Sequence, residues 1–357
     1  MIVFPSLPGV EINLFFLVFI GISAGILSGF TGVGGAFIVT PALIILGFPA
    51  NLAVGTSLTW VMGNSIIGVF RHRSLGNVDT KLGLTLLVAV MGGVEIGVRI
   101  VNWVRDIGLA DEVVLLISIC LLLIVGVYTV LECIKRKKHL DKILKKGEAP
   151  PPAMRSTSFS QKLQSINLPP MISYSRAGVT ISLWIILAIG FLVGIIVGII
   201  GVGGGFIMVP ALVYLIGLPS FIAVGTDLFQ IIFSAAYGSI RHTMSGNVLI
   251  FASLILIVAS SIGVQVGALV TRYVRGVSAR FVLGTTILLV AISSIFKLLS
   301  ILMKEATVYL ESGSVIIILS GMGLAVIMIL LLLITANRYR RGQCIPSWVE
   351  SLVAKSD

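Results

Sequence analysis

Charged residues, cysteines and histidines are all scarce in this sequence. Asp, Glu, Lys and Arg together make up 11% of the 357 residues, whereas soluble globular domains carry about 25%. This scarcity excludes an ordinary soluble domain, because so few charges cannot solvate a whole protein surface. The three cysteines, Cys120, Cys133 and Cys344, are far apart in sequence and match no metal or redox spacing. We expect no cofactor, no metal and no enzyme activity.

Long uncharged runs take the place of the missing charges. Hydrophobic residues make up 57% of the chain, the mean hydropathy is +1.13, and residues 12–70 and 177–226 contain no Asp, Glu, Lys or Arg. One crossing of a bilayer needs about 20 apolar residues, so each run holds more than one helix. The sequence predicts an all-α polytopic membrane protein with a series of apolar segments. These are about 12–30, 35–49, 51–70, 82–104, 112–134, 179–200, 205–218, 221–240, 248–271, 281–303 and 313–336.

The basic residues are concentrated in one stretch. The formal net charge is +11, and ten of the 25 Lys and Arg residues lie between Lys135 and Arg176. Basic residues beside apolar segments indicate cytoplasmic loops, which favours membrane topology over binding to nucleic acid. We expect residues 135–178 to form a basic, proline-containing cytoplasmic linker and residues 337–357 to form a cytoplasmic tail. A regulatory or anionic-lipid-binding role for the linker is an alternative.

The chain contains an internal repeat. Residues 32–46 (GVGGAFIVTPALIIL) match residues 201–215 (GVGGGFIMVPALVYL), and the match continues at an offset of 170 through AVGT, Arg-His and Gly-Asn-Val. Such self-similarity indicates duplicated structural units. We expect a first membrane repeat at residues 1–134 and a second at 179–336, which also carries an extra C-terminal span.

The second segment of each repeat, 35–49 and 205–218, is short and contains a proline. Each could cross the membrane or re-enter it as a half-helix. The count of Lys and Arg on the two sides of the membrane favours crossing. Crossing gives each repeat five spans, and an odd number places the two homologous halves in opposite orientations. This is the inverted repeat of secondary transporters, with broken helices near the midplane of the bilayer.

Glycine clusters precede both short segments. No Lys-Ser or Lys-Thr follows them, which argues against a nucleotide-binding loop. Glycines that break a membrane helix leave the amide groups of the next helix free to bind an anion. We predict that both clusters bind the substrate, and close helix packing through glycine is the alternative. The residues concerned are Gly32, Gly34, Gly35, Gly201, Gly203, Gly204 and Gly205.

Polar residues in the third segment of each repeat are further candidates. Thr56, Ser57 and Thr226 are predicted to bind substrate, although the threonines could equally cap helices or bond to nearby carbonyls. Asp227 is the one acid of its segment, and an ionisable group inside a membrane segment is a functional candidate. We expect it to carry a coupling proton or to pair with Arg241. Three further residues could line a cavity: Trp60, Asn64 and Gln230.

Charged residues near the segment ends are predicted to act in coupling or gating. Glu95 and Arg99 lie four residues apart, the spacing of an ion pair on one helical face. A structural pair is the main interpretation and a gate is the alternative. Arg71 and Arg241 occupy equivalent positions in the two repeats. They could attract anions to the mouth of a pathway or extend toward the membrane interface.

The duplicated blocks resemble the TauE/SafE family of sulfite exporters and related organosulfur anion permeases. The resemblance is carried by two GVGG-x-F-I-x-x-P-A-L blocks, each followed by Gly-x-Pro, AVGT and Arg-His-x(3)-Gly-Asn-Val, and it covers most of both repeats. It implies a polytopic carrier for sulfite, sulfonates, thiosulfate or related small anions in a prokaryotic cytoplasmic membrane.

Together, sequence and resemblance predict a secondary membrane transporter, or permease, that moves a small sulfur-containing anion by alternating access. The expected partners are that anion, the lipid bilayer and a coupling proton or sodium ion, with no nucleic acid. The alternatives are a membrane-embedded enzyme and an anion channel. An enzyme would need a cluster of acid, base, metal or nucleophile groups that the sequence does not show, and a channel would conduct without saturation.

Overall fold

The protein is helical in the computed structural model, and the predicted all-α membrane fold is confirmed. The structure describes residues 2–3, 11–31, 35–74, 76–145, 163–164, 168–176, 178–270, 276–303 and 307–340. The chain forms two compact units. The first unit contains Met1–Gly47, Leu115–Pro150 and Val258–Asp357, and the second unit contains Phe48–Val114 and Pro151–Ile257.

The helices follow the apolar segments of the sequence. The first repeat contains α1 (Leu14–Thr31), α2 (Ala36–Ile45), α3 (Ala50–Ser74), α4 (Thr80–Asp106) and α5 (Ala110–Lys145). The second contains α6 (Leu183–Ile200), α7 (Gly205–Pro210, extended by the π-helix Ala211–Ile216), α8 (Ser220–Met244), α9 (Ile250–Val270) and α10 (Gly276–Leu302). The extra C-terminal helix is α11 (Thr307–Arg340). Two antiparallel hairpins pair β1 (Ile2–Val3) with β2 (Glu11–Ile12) and β3 (Met171–Tyr174) with β4 (Val179–Ser182).

Eight of the described helices are long and apolar enough to cross a membrane. The shorter apolar helices are Leu14–Phe30, Ala36–Ile45 and Gly205–Ile216. At 1.5 Å per residue, α2 spans about 15 Å, and α7 with its extension spans about 18 Å. The hydrocarbon core is about 30 Å thick. The two segments for which crossing was expected are therefore too short to cross as helices alone.

Glycine lets α4 and α6 touch backbone to backbone in the second unit. A Cβ atom on Gly194 would overlap the carbonyl oxygen of Val90, and one on Gly198 would lie 2.6 Å from that of Val94. Four residues further along α6, the contact is four residues further along α4, so the two helices run parallel. Small residues that allow close approach are a common source of helix association in membranes.

The helix α8 runs in the same direction as α4 and α6. Gly83, near the start of α4, faces Phe229, near the start of α8, whereas Glu95 further along α4 binds Arg241 near the end of α8. Because α6 and α8 are parallel, α7 between them must return the chain toward the side on which α6 begins. That is the direction expected of a crossing segment, although α7 has only part of the necessary length.

The first unit repeats the close glycine contact. A Cβ atom on Gly25 of α1 would overlap the carbonyl oxygen of Ser260 of α9, and these two residues are the repeat equivalents of Gly194 and Val90. In the same unit, Lys297 of α10 is buried and its Nζ lies 2.6 Å from Glu311 Oε1 of α11. This pair neutralises a lysine that would otherwise be an unpaired buried charge in an apolar helix.

The described end of the predicted linker belongs to the β3–β4 hairpin, which packs within the second unit. Lys81 Nζ donates to the carbonyl oxygen of Ser173 at 3.0 Å, and Arg176 Nη1 donates to that of Val78 at 2.9 Å. The β3–β4 hairpin therefore contacts the turn between α3 and α4. Nearly half of the linker, residues 146–162, 165–167 and 177, lies outside the described residues, so its regulatory or lipid-binding role stays a prediction.

Candidate functional site

The third helices of the two repeats, α3 and α8, pack as an antiparallel pair in the second unit. Leu58, near the start of α3, faces Gly238, near the end of α8, and Leu228 faces Gly68 in the same way. The two contacts are equivalent at the repeat offset of 170. The pair is therefore reciprocal, with each helix using the same positions to contact the other.

Thr56 and Thr226 fix the two ends of this pair. Thr56 Oγ1 accepts a hydrogen bond from the backbone N–H of Leu249, and Thr226 Oγ1 accepts one from that of Asp79, both at 3.0 Å. These bonds tie the start of each helix to the turn that precedes α9 or α4. The structural interpretation of the two threonines is favoured over their predicted role as substrate ligands, because their buried oxygens already accept backbone hydrogen bonds.

Polar side chains form a stripe along one face of α8, and the equivalent stripe of α3 is polar in part. Spacings of three and four residues keep the members of a stripe on one face. The α8 stripe is Asp227, Gln230, Ser234, Tyr237 and Arg241, and the equivalent α3 positions are Ser57, Trp60, Asn64, Ile67 and Arg71. The first three side chains of each stripe are buried. The candidate cavity residues of the sequence therefore belong to two equivalent stripes, although the side chain of Arg71 lies outside the described residues.

The second glycine cluster covers the α3 stripe at Ser57. A Cβ atom on Gly201 would lie 2.5 Å from the carbonyl oxygen of Val54, and one on Gly203 would lie 2.5 Å from Val61 Cγ1. Val54, Ser57 and Val61 share one face of α3 because they are three and four residues apart. Gly203 has a φ of 69°, which glycine adopts at little cost. Backbone conformation and close approach together explain why this loop is glycine-rich.

Ser57 offers a buried hydroxyl that has no hydrogen-bond partner. Its side chain is fully buried, and Oγ contacts no donor or acceptor. Gly204, in the left-handed conformation, is the N-cap of α7, and Gly205 begins that helix. The first amides of a helix have no acceptor within the helix. A hydroxyl group beside a helix start is an arrangement that suits a small anion.

The first glycine cluster is described only in part. Gly32 and Gly34 lie outside the described residues. Gly35, in the first unit, is the left-handed N-cap of α2, and a Cβ atom there would lie 2.6 Å from the carbonyl oxygen of Ala24. The close-packing alternative therefore accounts for Gly35, and substrate binding at this cluster stays a prediction.

Asp227 is a buried acid near the start of α8. It is 1% exposed, its Oδ1 accepts a hydrogen bond from Gln230 Nε2 at 3.2 Å, and its Oδ2 has no partner. The expected alternative of a pair with Arg241 is not what the structure shows, because Arg241 binds Glu95 instead. Gln230 Oε1 is also buried without a donor.

Ser57 and Asp227 are equivalent in sequence but lie at opposite ends of the helix pair. Leu228 faces Gly68, so Asp227 is level with that part of α3. Gly68 follows Ser57 by eleven residues, which is about 17 Å along a helix. The predicted substrate-binding serine and the predicted coupling acid therefore belong to two separate sites.

Glu95 lies at the centre of a charged cluster between α4 and α8. The ion pair expected from spacing is present, with Arg99 Nε at 2.9 Å from Glu95 Oε1. Arg241 binds more extensively, with Nε at 2.6 Å from Oε2 and Nη2 at 2.8 Å from Oε1. Tyr237 donates to Oε2 at 2.8 Å. The bidentate bond to Arg241 is the strong contact of the cluster, so the charge of Arg241 is neutralised rather than presented to an anion.

A polar network around Asn247 was not predicted. Asn247 Oδ1 accepts hydrogen bonds from Asn51 Nδ2 at 2.8 Å and Arg105 Nη1 at 3.1 Å, and its Nδ2 donates to Asn102 Oδ1 at 2.9 Å. The network joins the turn after α8 to the start of α3 and the end of α4. The duplicated Gly-Asn-Val was the available signal, but it does not reveal partners more than 140 residues away.

Comparison with known proteins places these features in a family. The model of the family described as "Sulfite exporter TauE/SafE" matches residues 17–294. "Probable membrane transporter protein YunE" of Bacillus subtilis (strain 168) is 25% identical over 292 residues, which cover 79% of this chain and 97% of that protein. "Probable membrane transporter protein MJ0441" of Methanocaldococcus jannaschii is 27% identical over 205 residues, covering 55% and 60%. "Probable membrane transporter protein YjnA" of B. subtilis is 24% identical over 242 residues, covering 66% and 84%. No solved structure matches the chain.

Proposed function

This chain belongs to the sulfite exporter TauE/SafE family, and we propose that it is a secondary transporter for small sulfur-containing anions. It is a multi-pass membrane protein with eight described helices able to span a bilayer, and its relatives are named as membrane transporters. Sulfite, sulfonates and thiosulfate are the proposed cargo. Alternating access is the proposed mechanism.

The observation that carries the proposal is the buried Ser57 hydroxyl beneath the glycine loop at the start of α7. Hydroxyl and amide groups donate hydrogen bonds to an oxyanion without adding a fixed positive charge. A site without a fixed cation releases its anion more readily than one that pairs it with Lys or Arg. Moderate affinity of this kind suits a carrier, which must both load and unload.

The helix pair supports alternating access. The helices α3 and α8 are equivalent and antiparallel, which supports the proposed inverted relation of the two repeats. Alternating access in transporters with inverted repeats comes from movement of one repeat against the other around a fixed site. The reciprocal threonine and glycine contacts of α3 and α8 give the two repeats a common axis on which such a movement can occur.

The proposed location is a prokaryotic cell membrane, with the linker 135–178 and the C-terminal tail on the cytoplasmic side. The concentration of Lys and Arg in these segments supports that orientation. A proton or a sodium ion is the proposed coupling partner, since Asp227 provides a carboxylate inside a membrane helix.

The proposal is tested by uptake of radiolabelled sulfite into proteoliposomes, with thiosulfate, taurine, sulfoacetate and sulfate as competitors. Ser57→Ala removes one hydrogen bond to a charged group, and we expect the KM to rise about tenfold to a hundredfold. Ser320→Ala is the matched control, because that hydroxyl is exposed on α11 and donates only to the carbonyl oxygen of Ile317. Ser57→Ala is a cleaner variant than a change at Gly203, which would also strain the backbone.

Saturable uptake with the expected loss in Ser57→Ala would support a carrier with its site beneath the glycine loop. An absence of flux for every sulfur anion, in protein shown to be folded, would overturn the proposed cargo. Uptake that is unaffected by Ser57→Ala would keep the cargo but remove this site.

A further inference from the structure

Two acceptor oxygens near the start of α8 are buried and lack donors. They are Asp227 Oδ2 and Gln230 Oε1, and both side chains are almost fully inaccessible. A carboxylate in a low-dielectric region is strongly unfavourable unless it is paired with a charge or receives several hydrogen bonds. Asp227 receives one described bond, from Gln230 Nε2. The described contacts therefore leave Asp227 Oδ2 without a positive partner.

The described side chains around Asp227 do not supply a positive partner, and the side chain of Arg71, near the end of α3 that is level with Asp227, lies outside the described residues. Arg241 is held by Glu95, Lys81 bonds to the carbonyl oxygen of Ser173, and no described ion pair includes Asp227. Asp79 adds a second acid nearby, because its backbone N–H binds Thr226 while its side chain accepts from Leu82 N. On the elements packed against α8, the groups are Arg71, His72 and Arg73 of α3, Lys81, Glu95, Arg99, Arg105 and Asp106 of α4, and Tyr214 of the α7 extension, and α8 itself adds Tyr237, Arg241 and His242.

We propose that Asp227 and Gln230 form a proton-binding site, separate from the anion site at Ser57, and that protonation of Asp227 is coupled to movement of the anion. The inference rests on the proposed function and names its coupling ion. The site lies about 17 Å from Ser57 along the helix pair. Proton and anion therefore bind at equivalent positions of the two repeats rather than at one shared site.

Gln230 suits both charge states of the acid. When Asp227 is ionised, the amide Nε2 donates to the carboxylate, as the structure shows. When Oδ2 carries a proton, its O–H can donate to Gln230 Oε1 after rotation of the amide. A proton needs only this one acceptor. A bound metal cation would need a fuller shell of oxygen ligands than the three oxygens of these two side chains.

The first experiment needs no anion. Infrared difference spectra of the full-length protein, recorded while the pH is changed, report the C=O band of a protonated carboxylic acid in a nonpolar environment. We expect such a band in the wild type, its loss in Asp227→Asn, and its return at a shifted position in Asp227→Glu. Asp106→Asn, which changes an exposed acid, is the matched control. A wild-type spectrum without a pH-dependent buried-acid band, or a band that survives Asp227→Asn, would overturn the proposal.

The second experiment tests the coupling. In proteoliposomes, an inward proton gradient of one pH unit should drive about tenfold accumulation of sulfite at one proton per anion, and a dye inside the vesicles should report acidification. Asp227→Asn should abolish both effects. Accumulation driven by a sodium gradient alone would overturn the proton assignment. If the infrared band is present but no sulfur anion moves, the proton site stands and the proposed cargo fails.

Discussion

The α3 and α8 stripes share one framework but differ in chemistry. The residues that hold the two helices together are duplicated, with Thr56 matching Thr226 in their bonds to backbone amides. The residues that face inward have diverged, with Ser57 where the second repeat has Asp227, and Trp60 where it has Gln230. The contacts that hold α3 and α8 in place are therefore the same in the two repeats, whereas the buried residues of the two stripes differ.

This divergence is what the two proposed ion sites would require of one duplicated fold. An anion site needs donors and tolerates no nearby carboxylate, whereas a proton site needs a carboxylate. Two identical repeats would produce two copies of one site. Replacement of a neutral hydroxyl by an acid in one repeat only, as at Asp227, makes the equivalent positions complementary in charge.

The largest effect is expected when the chemistry of the second repeat is imposed on the first. Ser57→Asp places a carboxylate where the anion is proposed to bind. At about 5 Å and an effective dielectric constant of 20, the repulsion is about 3 kcal/mol, which corresponds to a loss of more than a hundredfold in affinity. Equilibrium binding of labelled sulfite to the purified protein measures this. Binding within a few-fold of wild type would place the anion elsewhere.

A large effect on stability is expected where the scaffold has not diverged. Gly194→Ala would force α6 away from the backbone of Val90, at a cost toward the upper end of about 1–3 kcal/mol. Gly25→Ala should destabilise the protein similarly, because its contact with Ser260 is the repeat equivalent. Gly323→Ala is the matched control, since a Cβ atom there meets nothing within 4 Å. The melting temperatures of the three variants are measured in detergent. Equal melting temperatures for Gly194→Ala and Gly323→Ala would contradict the close contact between α4 and α6.

Sequence patterns predicted the fold and part of the site. The repeat, the glycine breaks and the Glu95–Arg99 pair could be predicted from the sequence, because each depends on a pattern of residues that are close together in the chain. The pairing of Glu95 with Arg241 could not be predicted from the sequence. Arg241 is 146 residues away, and the parallel packing of α4 and α8 places it beside Glu95. The separation of Ser57 from Asp227 was hidden for a related reason. Equivalent positions on antiparallel helices end far apart.

A moderate effect that is equal in both repeats is expected at the threonines. Thr56→Val and Thr226→Val each keep the shape of the side chain but leave a buried backbone N–H without its acceptor, at about 1–2 kcal/mol each. Because the two bonds have the same length and both threonines follow Ala-Val-Gly, the two losses in thermal stability should agree within about 0.5 kcal/mol. A marked inequality would show that the two ends of the α3–α8 pair are not equivalent.

The smallest effect is expected at Arg99, which belongs to the charged cluster that the second repeat lacks. Gln265 and Leu269 occupy the positions equivalent to Glu95 and Arg99, so this cluster distinguishes the repeats. Arg99 is 73% exposed and makes one bond to Glu95, whereas Arg241 is 32% exposed and makes two. Exposed single pairs contribute less than about 1 kcal/mol, so Arg99→Ala should lower thermal stability slightly and Arg241→Ala clearly more. If the two losses were equal, the carboxylate of Glu95 would be shared evenly, and the α4–α8 contact would not depend on the bidentate bond.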